Sequence, residues 1–393
     1  MDSMIDLNKA HNCLLQLAVV PKTIELPITE CNGLVLAENV YSDVNMPPFD
    51  KSAMDGFACR LEDLKEDLKV VDYVPAGSLP NKAIGKNECV KIMTGAKMPE
   101  GADCVIMVEY TEDKNNEYIR FVGKNTKSNI CDLGEDVKVG DIVLQKGRVL
   151  NPASIGVAAS VGKSILHVYD TPTVALLATG DELVEINHSP DGAMIRNSNS
   201  YNLIAQLKQA KAKVNYLGIV SDKKEVLKSA MIEAFEQHDV LILTGGVSMG
   251  DKDYVPEILT ELGLETVYDK VAIQPGKPTV FAHGNGKYCF GLSGNPVSSL
   301  LQFELLTKPF LYHLMGHNFK LPFVKMKLDR SKSRKKTERE QFFPVRLENG
   351  SAELIEFHGS AHIAGLVDAD GFAVFEKGKA QIEEGEEVRV LLV

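Results

Sequence analysis

Residues 173–179 read TVALLAT, an apolar run of strand length without the alternation of a half-exposed strand. Such a strand is buried on both faces, as in a parallel sheet covered by helices. The next segments repeat the signal. SYNLIAQLKQAKA (200–212) is helical and KVNYLGIV (213–220) is again a strand. Leu227, Ala230, Met231, Ala234 and Phe235 then fall at i, i+3, i+4, i+7 and i+8, one face of a helix. DVLILT (239–244) is a further strand. A helix at 251–262, strands around 266–273, 279–282 and 287–292, and a helix over 296–315 complete the series. Strands alternating with helices imply a doubly wound, mostly parallel sheet. This α/β domain is expected over 172–320.

The flanks have a different texture. From Asp6 to about Val20, the spacing of Leu7, Leu14, Leu15, Leu17 and Ala18 predicts an amphipathic helix closed by Pro21. Residues 22–45 and 60–137 read as short strands and turns. Between them PPFDKSAMDGFA (47–58) is a structured turn, marked by paired prolines and Asp55-Gly56. DIVLQKGRVLNP (141–152) predicts a hairpin about Lys146-Gly147, followed by a short helix around 152–161. Beyond Pro322 short strands return, with turns such as Glu348-Asn349-Gly350, predicting a small β-barrel or sandwich. The fold class is therefore multidomain: a central α/β unit with small, mainly β domains on either side.

Composition narrows the function. With 393 residues the chain is too long for one ordinary domain. A net charge of −11 disfavours general nucleic-acid binding. Cys13, Cys31, Cys59, Cys89, Cys104, Cys131 and Cys289 are odd in number and include no CxxC pair. That argues against a disulfide framework and a cysteine zinc site, and for a reducing cytoplasm. The N-terminus is acidic where a signal peptide is basic, and no apolar run approaches the ~20 residues that span a bilayer.

In an open parallel sheet, ligands sit beyond the carboxyl ends of the strands. Three such ends are rich in Gly and small polar residues: Thr179-Gly180-Asp181-Glu182, Thr244-Gly245-Gly246-Val247-Ser248-Met249-Gly250, and Leu292-Ser293-Gly294-Asn295-Pro296. Glycines admit close backbone approach to an anion. Asn295 as N-cap with Pro296 first in the helix makes a strong helix start. Acids lie near the same edge at Asp181, Glu182, Asp222, Asp251 and Asp253. Carboxylates beside phosphate oxygens suit Mg²⁺, although acids in a helix's first turn are also ordinary caps. Lys270 and Lys277, the latter in Pro275-Gly276-Lys277-Pro278, can meet phosphate as point charges.

Four motif matches compete. Gly156 to Gly162-Lys163-Ser164 has one residue too many for a P-loop and precedes a strand. His358 and His362 have zincin spacing without the Glu that comes after the first His. The basic run at Lys332, Arg334, Lys335 and Lys336 reads as a solvated loop. Gly246-Val247-Ser248-Met249-Gly250 fits a hydrolase nucleophile elbow, with His283, His358 or His362 as candidate partner. A glycine pair separates strand from serine, however, and two acids come after it. A serine nucleophile needs a base at hand rather than carboxylates alone.

PPFDKSAMDGFA (47–58), IMTGAKMPEGADCVIMVE (92–109), ATGDEL (178–183), LTGGVSMGDKDYV (243–255), PGKP (275–278) and LSGNPVSS (292–299) occur in this order. Together they resemble the molybdopterin molybdenumtransferase family, whose catalytic unit also forms the C-terminal part of gephyrin. The resemblance spans essentially the whole chain and looks like the stand-alone prokaryotic form. It implies an elongated homodimer of four-domain protomers. The domains would be 1–43 with 138–171, a β-rich unit with the N-terminal helix; 44–137, a small mixed α/β unit; 172–320; and a C-terminal β-barrel, 321–393. The α/β domain of one protomer would face the partner's 44–137 unit across the active-site cleft.

The implied reaction inserts molybdate into adenylylated molybdopterin with Mg²⁺ and releases AMP. By the same resemblance Glu182, Asp222 and Asp253 would handle Mg²⁺ and substrate. Asp55 and Thr94, with Asp136 nearby, would act from the facing domain. Lys270 and Lys277 would bind phosphate or oxyanion, joined by Arg339 and Ser360 of the tail domain. Gly180, Gly245, Gly246, Ser248, Ser293, Gly294 and Asn295 would hold the pterin and nucleotide phosphates. Gln274 stands where the family pattern has a Lys, which removes one positive charge and predicts weaker molybdate binding or another oxyanion preference. A molybdopterin adenylyltransferase, and apo-molybdoenzymes or their chaperones, would be partners. Competing readings are tungstate insertion, a non-catalytic scaffold of the same fold, and a serine hydrolase using Ser248.

Overall fold

The computed structural model describes residues 4–115, 117–246 and 254–393. The central domain runs β1 (Thr173–Thr179), α1 (Ser198–Gln209), β2 (Lys213–Val220), α2 (Lys224–Gln237), β3 (Val240–Thr244), α3 (Val255–Glu261) and β4 (Glu265–Lys270). It continues with β5 (Ile273–Gln274), β6 (Pro278–Gly284), β7 (Lys287–Leu292), α4 (Pro296–Gln302) and α5 (Lys308–Leu314). The sheet order is β2-β1-β3-β7-β6-β4. The first four strands are parallel; β6 and β4 are antiparallel additions at one edge.

The period of two along each strand divides the apolar residues between two cores. Val174, Leu176, Val240, Ile242 and Phe290 join Leu203 and Leu207 of α1, Leu301 of α4 and Phe310 of α5. Ala175, Leu177, Leu241, Leu243 and Cys289 join Leu227 and Met231 of α2 and Ile258 and Leu259 of α3. TVALLAT is continuously apolar because both of its faces are covered. The helix expected over 296–315 is α4 and α5 joined through a π turn at Phe303–Thr307. Within that turn the Leu305 carbonyl accepts from Nε2 of His11, whose pKa burial lowers.

His11 lies on the N-terminal helix Leu7–Leu15, shorter than the spacing suggests. The chain leaves the helix so that the Leu17 carbonyl accepts from His313 Nε2 at 2.9 Å. Thr23–Pro27 pairs antiparallel with Ile165–Tyr169, and Val40–Tyr41 with Ile142–Leu144. The hairpin expected at 141–152 is therefore not self-paired. Leu36 donates to the Arg148 carbonyl and Leu150 to that of Leu34, so both arms pair with the 33–41 segment. That arrangement buries Leu144 and Leu150 against Val40, Leu166 and Val168.

The 44–137 stretch folds into a six-stranded sheet ordered 104–107, 56–59, 88–92, 67–74, 118–121, 111–114. The expectation of a mixed α/β unit is corrected here: its described residues form strands and single 3-10 turns, with no α-helix. Its apolar runs are too short and too often broken by Gly, Pro and Asn to sustain helical periodicity.

The C-terminal strands β8 (Phe323–Leu328), β9 (Glu340–Glu348), β10 (Ser351–Leu354), β11 (Gly371–Phe375) and β12 (Glu387–Leu392) close into a five-stranded barrel, β9-β10-β8-β12-β11-β9. Closure leaves no open edge, and Phe343, Val345, Ala373, Phe375 and Val390 fill the inside. β5 lies parallel against β9, with Ile273 opposite Glu340 and Gln274 opposite Gln341. This short pairing fastens the barrel beside the carboxyl ends of the central strands. No helix is long and apolar enough to cross a membrane among the described residues.

Candidate active site

Because β1, β3 and β7 are parallel neighbours in register, their carboxyl ends emerge together. The loops that leave them, Thr179-Gly180, Thr244-Gly245-Gly246 and Ser293-Gly294-Asn295, line one cavity of about 1040 Å³. The opposite wall comes from the Gln274–Lys277 turn and from Arg339, Phe357 and Ser360 of the barrel.

The loops are held tightly. Gly245 has φ +88°, and a Cβ there would lie 2.4 Å from the Thr179 carbonyl oxygen. Its N–H donates to the Leu292 carbonyl at 3.1 Å. Asn199, in the first turn of α1, donates to Thr244 Oγ1 at 3.1 Å and to the Gly294 carbonyl at 2.8 Å, tying two of the loops together. Asn295 occupies the N-cap position of α4 with Pro296 next, as its sequence predicts. Its side chain makes no capping bond; instead its N–H donates to Ser293 Oγ at 3.2 Å.

Charge of both signs lines the space. Glu182 and Asp222 are the acids among the described residues, and the Asp222 N–H donates to Asp181 Oδ1 at 3.3 Å. Lys277 and Arg339 are the expected cations, and Arg196 is a third. Arg339 donates to the Ile273 carbonyl and to Gln274 Oε1, each at 3.3 Å. Gln274 therefore spends its oxygen orienting a guanidinium, which a lysine ammonium would repel. Ser360 lies in the wall, and its carbonyl accepts from the Val297 N–H at 3.0 Å, bolting the barrel loop to α4.

Two expectations are modified by position. Lys270 is only 8% exposed in β4, opposite Pro278 and 3.9 Å from Asp269, so it backs the Lys277 turn instead of lining the cavity. Asp55, Thr94 and Asp136 lie in the 44–137 unit and do not line this cavity within the chain. Asp55 and Thr94 are nonetheless a built pair. The Thr94 hydroxyl and N–H each donate to Asp55 Oδ1 at 2.7 Å. Those bonds, the hydroxyl's first, hold the exposed Asp55 carboxyl below its ordinary value. Asp136 lines a second hollow of about 750 Å³ with Lys51, Cys131 and Glu135. Ser248 and Asp253 lie outside the described residues.

Sequence reasoning passed over Arg196, Asn199, Gln302 and Phe357. Arg196 is carried to the rim by pairing of Ile195–Arg196 with Leu183–Val184. The signal for Asn199 was the Asn197-Ser198-Asn199-Ser200 helix start. The signal for Gln302 was a lone amide among the apolar residues Leu300, Leu301, Phe303, Leu305 and Leu306.

Parallel strand ends with glycine turns and, among the described residues, two carboxylates and three cations define a class: an α/β protein with a cleft of the kind that suits an anionic ligand. Comparison with known proteins gives the family. Residues 5–162 match the MoeA N-terminal region (domains I and II), 175–313 a probable molybdopterin binding domain, and 329–393 the MoeA C-terminal region (domain IV). Molybdopterin molybdenumtransferase of Staphylococcus aureus strain Mu50 is 41% identical over 292 residues, 72% of this chain and 69% of the relative. That of Staphylococcus epidermidis strain RP62A is 39% identical over 319 residues, 79% and 76% of the two chains. Crystal structures of molybdopterin biosynthesis MoeA proteins from Pyrococcus horikoshii superpose with TM-scores of 0.75 and 0.83. They are 32% and 27% identical and match over 99% and 100% of both chains, respectively. The chain belongs to the MoeA family of molybdopterin molybdenumtransferases.

Proposed function

We propose that this protein acts in molybdenum cofactor biosynthesis as a molybdopterin molybdenumtransferase, inserting molybdate into adenylylated molybdopterin and releasing AMP in an Mg²⁺-dependent reaction. The observation that carries this reading is the convergence of Gly180, Glu182, Asp222, Gly245, Gly246, Lys277, Ser293, Gly294, Asn295 and Arg339 on one cavity. The three glycine turns admit a phosphoanhydride to close backbone range, with Ser293 and Asn295 as flanking donors. Lys277 and Arg339 collect the molybdate dianion, and the Gln274 amide offers a neutral donor beside them. The dithiolene sulfurs displace oxygen from molybdate, which leaves as water, and hydrolysis of the P–O–P bridge frees AMP.

Glu182 and Asp222 present hard oxygen donors, the chemistry that suits Mg²⁺ when phosphate oxygens and water complete its shell, and Asp253 would join them. When bound, Mg²⁺ would offset phosphate charge. We assign Asp55, whose pKa Thr94 lowers, and Asp136 to the same centre through a homodimer in which the 44–137 unit of a second copy faces the cavity. This accounts for a preformed, solvent-facing Asp55–Thr94 pair that lines neither of the two hollows described above. Lys270 would support the oxyanion end from behind. All seven cysteines are free thiols, which suits a cytoplasmic enzyme. A molybdopterin adenylyltransferase would supply the substrate, and apo-molybdoenzymes or their chaperones would take the product.

Against the hydrolase reading, the cavity's described lining includes no histidine to serve Ser248 as base. The test is AMP release from adenylylated molybdopterin with Mg²⁺, with and without molybdate, and with tungstate as competitor. Molybdate-dependent release that is lost in Asp222→Asn supports the reading. Substrate binding without release at any oxyanion concentration would make the chain a scaffold.

A further inference from the structure

We propose that Gln302, the last residue of α4, is a positioning residue that sets Lys277 against the Ser293-Gly294 loop and thereby tunes oxyanion affinity. The inference rests on the oxyanion role given to Lys277 above. Gln302 is fully buried and does not itself line the cavity. Its Oε1 accepts from the Ser293 N–H at 2.8 Å. Its Nε2 lies 2.9 Å from the Gly276 carbonyl, 2.6 Å from that of Pro278 and 2.7 Å from Thr279 Oγ1.

Each hydrogen of the cluster has its own acceptor. Thr279 Oγ1 donates to the Gly276 carbonyl at 2.8 Å, so the two amide hydrogens serve Pro278 and the Thr279 hydroxyl. The turn also presses on the side chain: Gly276 has φ +104°, and a Cβ there would lie 3.0 Å from Gln302 Cγ. One amide thus joins the turn that carries Lys277 to the loop that carries Gly294, through direct hydrogen bonds. An ammonium on an exposed four-carbon stem has little direction of its own; its location is set by the turn beneath it. Charged groups on the elements packed here include Lys277, Lys270 opposite Pro278, and Glu304, which is engaged by Lys308 and Gln206.

The test is molybdate binding by titration calorimetry on wild type, Gln302→Met and Gln302→Glu, with a thermal melt of each. Gln302→Met keeps the volume and removes every hydrogen bond, and is expected to weaken molybdate about tenfold. In Gln302→Glu the neutral carboxyl can still donate to Pro278 and accept from Ser293, whereas the ionised form sets negative oxygen against two carbonyls. Burial raises that carboxyl's pKa above about 4.3. Binding should therefore approach wild type near about pH 5 and fall about tenfold by about pH 8, relative to wild type at the same pH. A group that only fills space would not produce this profile. Thr279→Val removes one arm of the clamp and serves as the mildest variant, expected to weaken molybdate severalfold, if the others melt early. Folded variants with wild-type affinity at both pH values would overturn the inference. A wild type that does not bind molybdate would instead overturn the oxyanion reading on which it stands.

Discussion

Gly245→Ala isolates the demand that the strand-end loops make on the backbone. The residue sits at φ +88°, where an alanine costs about 1–2 kcal/mol. The new Cβ would also stand 2.4 Å from the Thr179 carbonyl, about 1 Å inside ordinary contact. Neither partner yields cheaply. Ala178 is in register with Thr244, and Thr179 with Val220, so displacement disturbs β1 against both neighbours. Overpacking of this kind adds about 1–3 kcal/mol, for a total loss of about 2–5 kcal/mol. Displacing the Gly245 loop by about 1 Å from Gly294 should cost on the order of 100-fold in kcat/KM. Gly350→Ala is the control: it has φ +79° in a barrel turn, with open space around its Cβ position. It should show only the strain cost and full activity. The assays are chemical denaturation followed through the α/β domain, and molybdate-dependent AMP release. Gly245→Ala indistinguishable from Gly350→Ala in both would refute the close-approach argument.

Packing and charge each give one further expected outcome. Phe310→Ala removes a fully buried ring packed against Phe281, Tyr288 and Phe290 at centroid distances of 5.4, 4.8 and 5.5 Å. It should destabilise the α/β domain by about 3–5 kcal/mol in denaturant titration. Thr94→Val deletes the hydroxyl that dominates the lowering of the Asp55 pKa, so a carboxyl NMR titration should show that pKa rising toward 3.8. The sign is that of a depressed carboxylate: its stabilisation is present above the unfolded pKa and lost as pH falls through the folded one. The wild-type contribution therefore fades only in acid, below about pH 4. An unchanged Asp55 pKa in Thr94→Val would show that the pair does not form.

The α/β domain was legible because its signals are local and strong. TVALLAT and DVLILT are buried on both faces, and the i, i+3, i+4 pattern of Leu227 to Phe235 matches the buried face of α2. The glycine turns after β1, β3 and β7 were readable as a site because the carboxyl ends of a parallel sheet are where ligands bind. Pairing between distant segments was not legible. The 141–152 stretch looks like a hairpin, but its partner strand lies about 100 residues earlier, at 33–41. No local pattern encodes that choice. The same limit hid Gln302, whose role depends on Gly276 and Ser293 arriving beside it. It also hid the pairing of Gln274 with Arg339: from sequence the missing lysine is only a lost charge, whereas in the structure its replacement holds an arginine.

The most direct test of the central claim, a transferase site assembled from two copies, is AMP release by mixed dimers of Asp55→Ala and Asp222→Asn. Each variant alone should be inactive. Random exchange makes half the dimers mixed, and each mixed dimer carries one intact site of two, so about one quarter of wild-type activity should return. Mixed dimers with no molybdate-dependent AMP release would contradict the account.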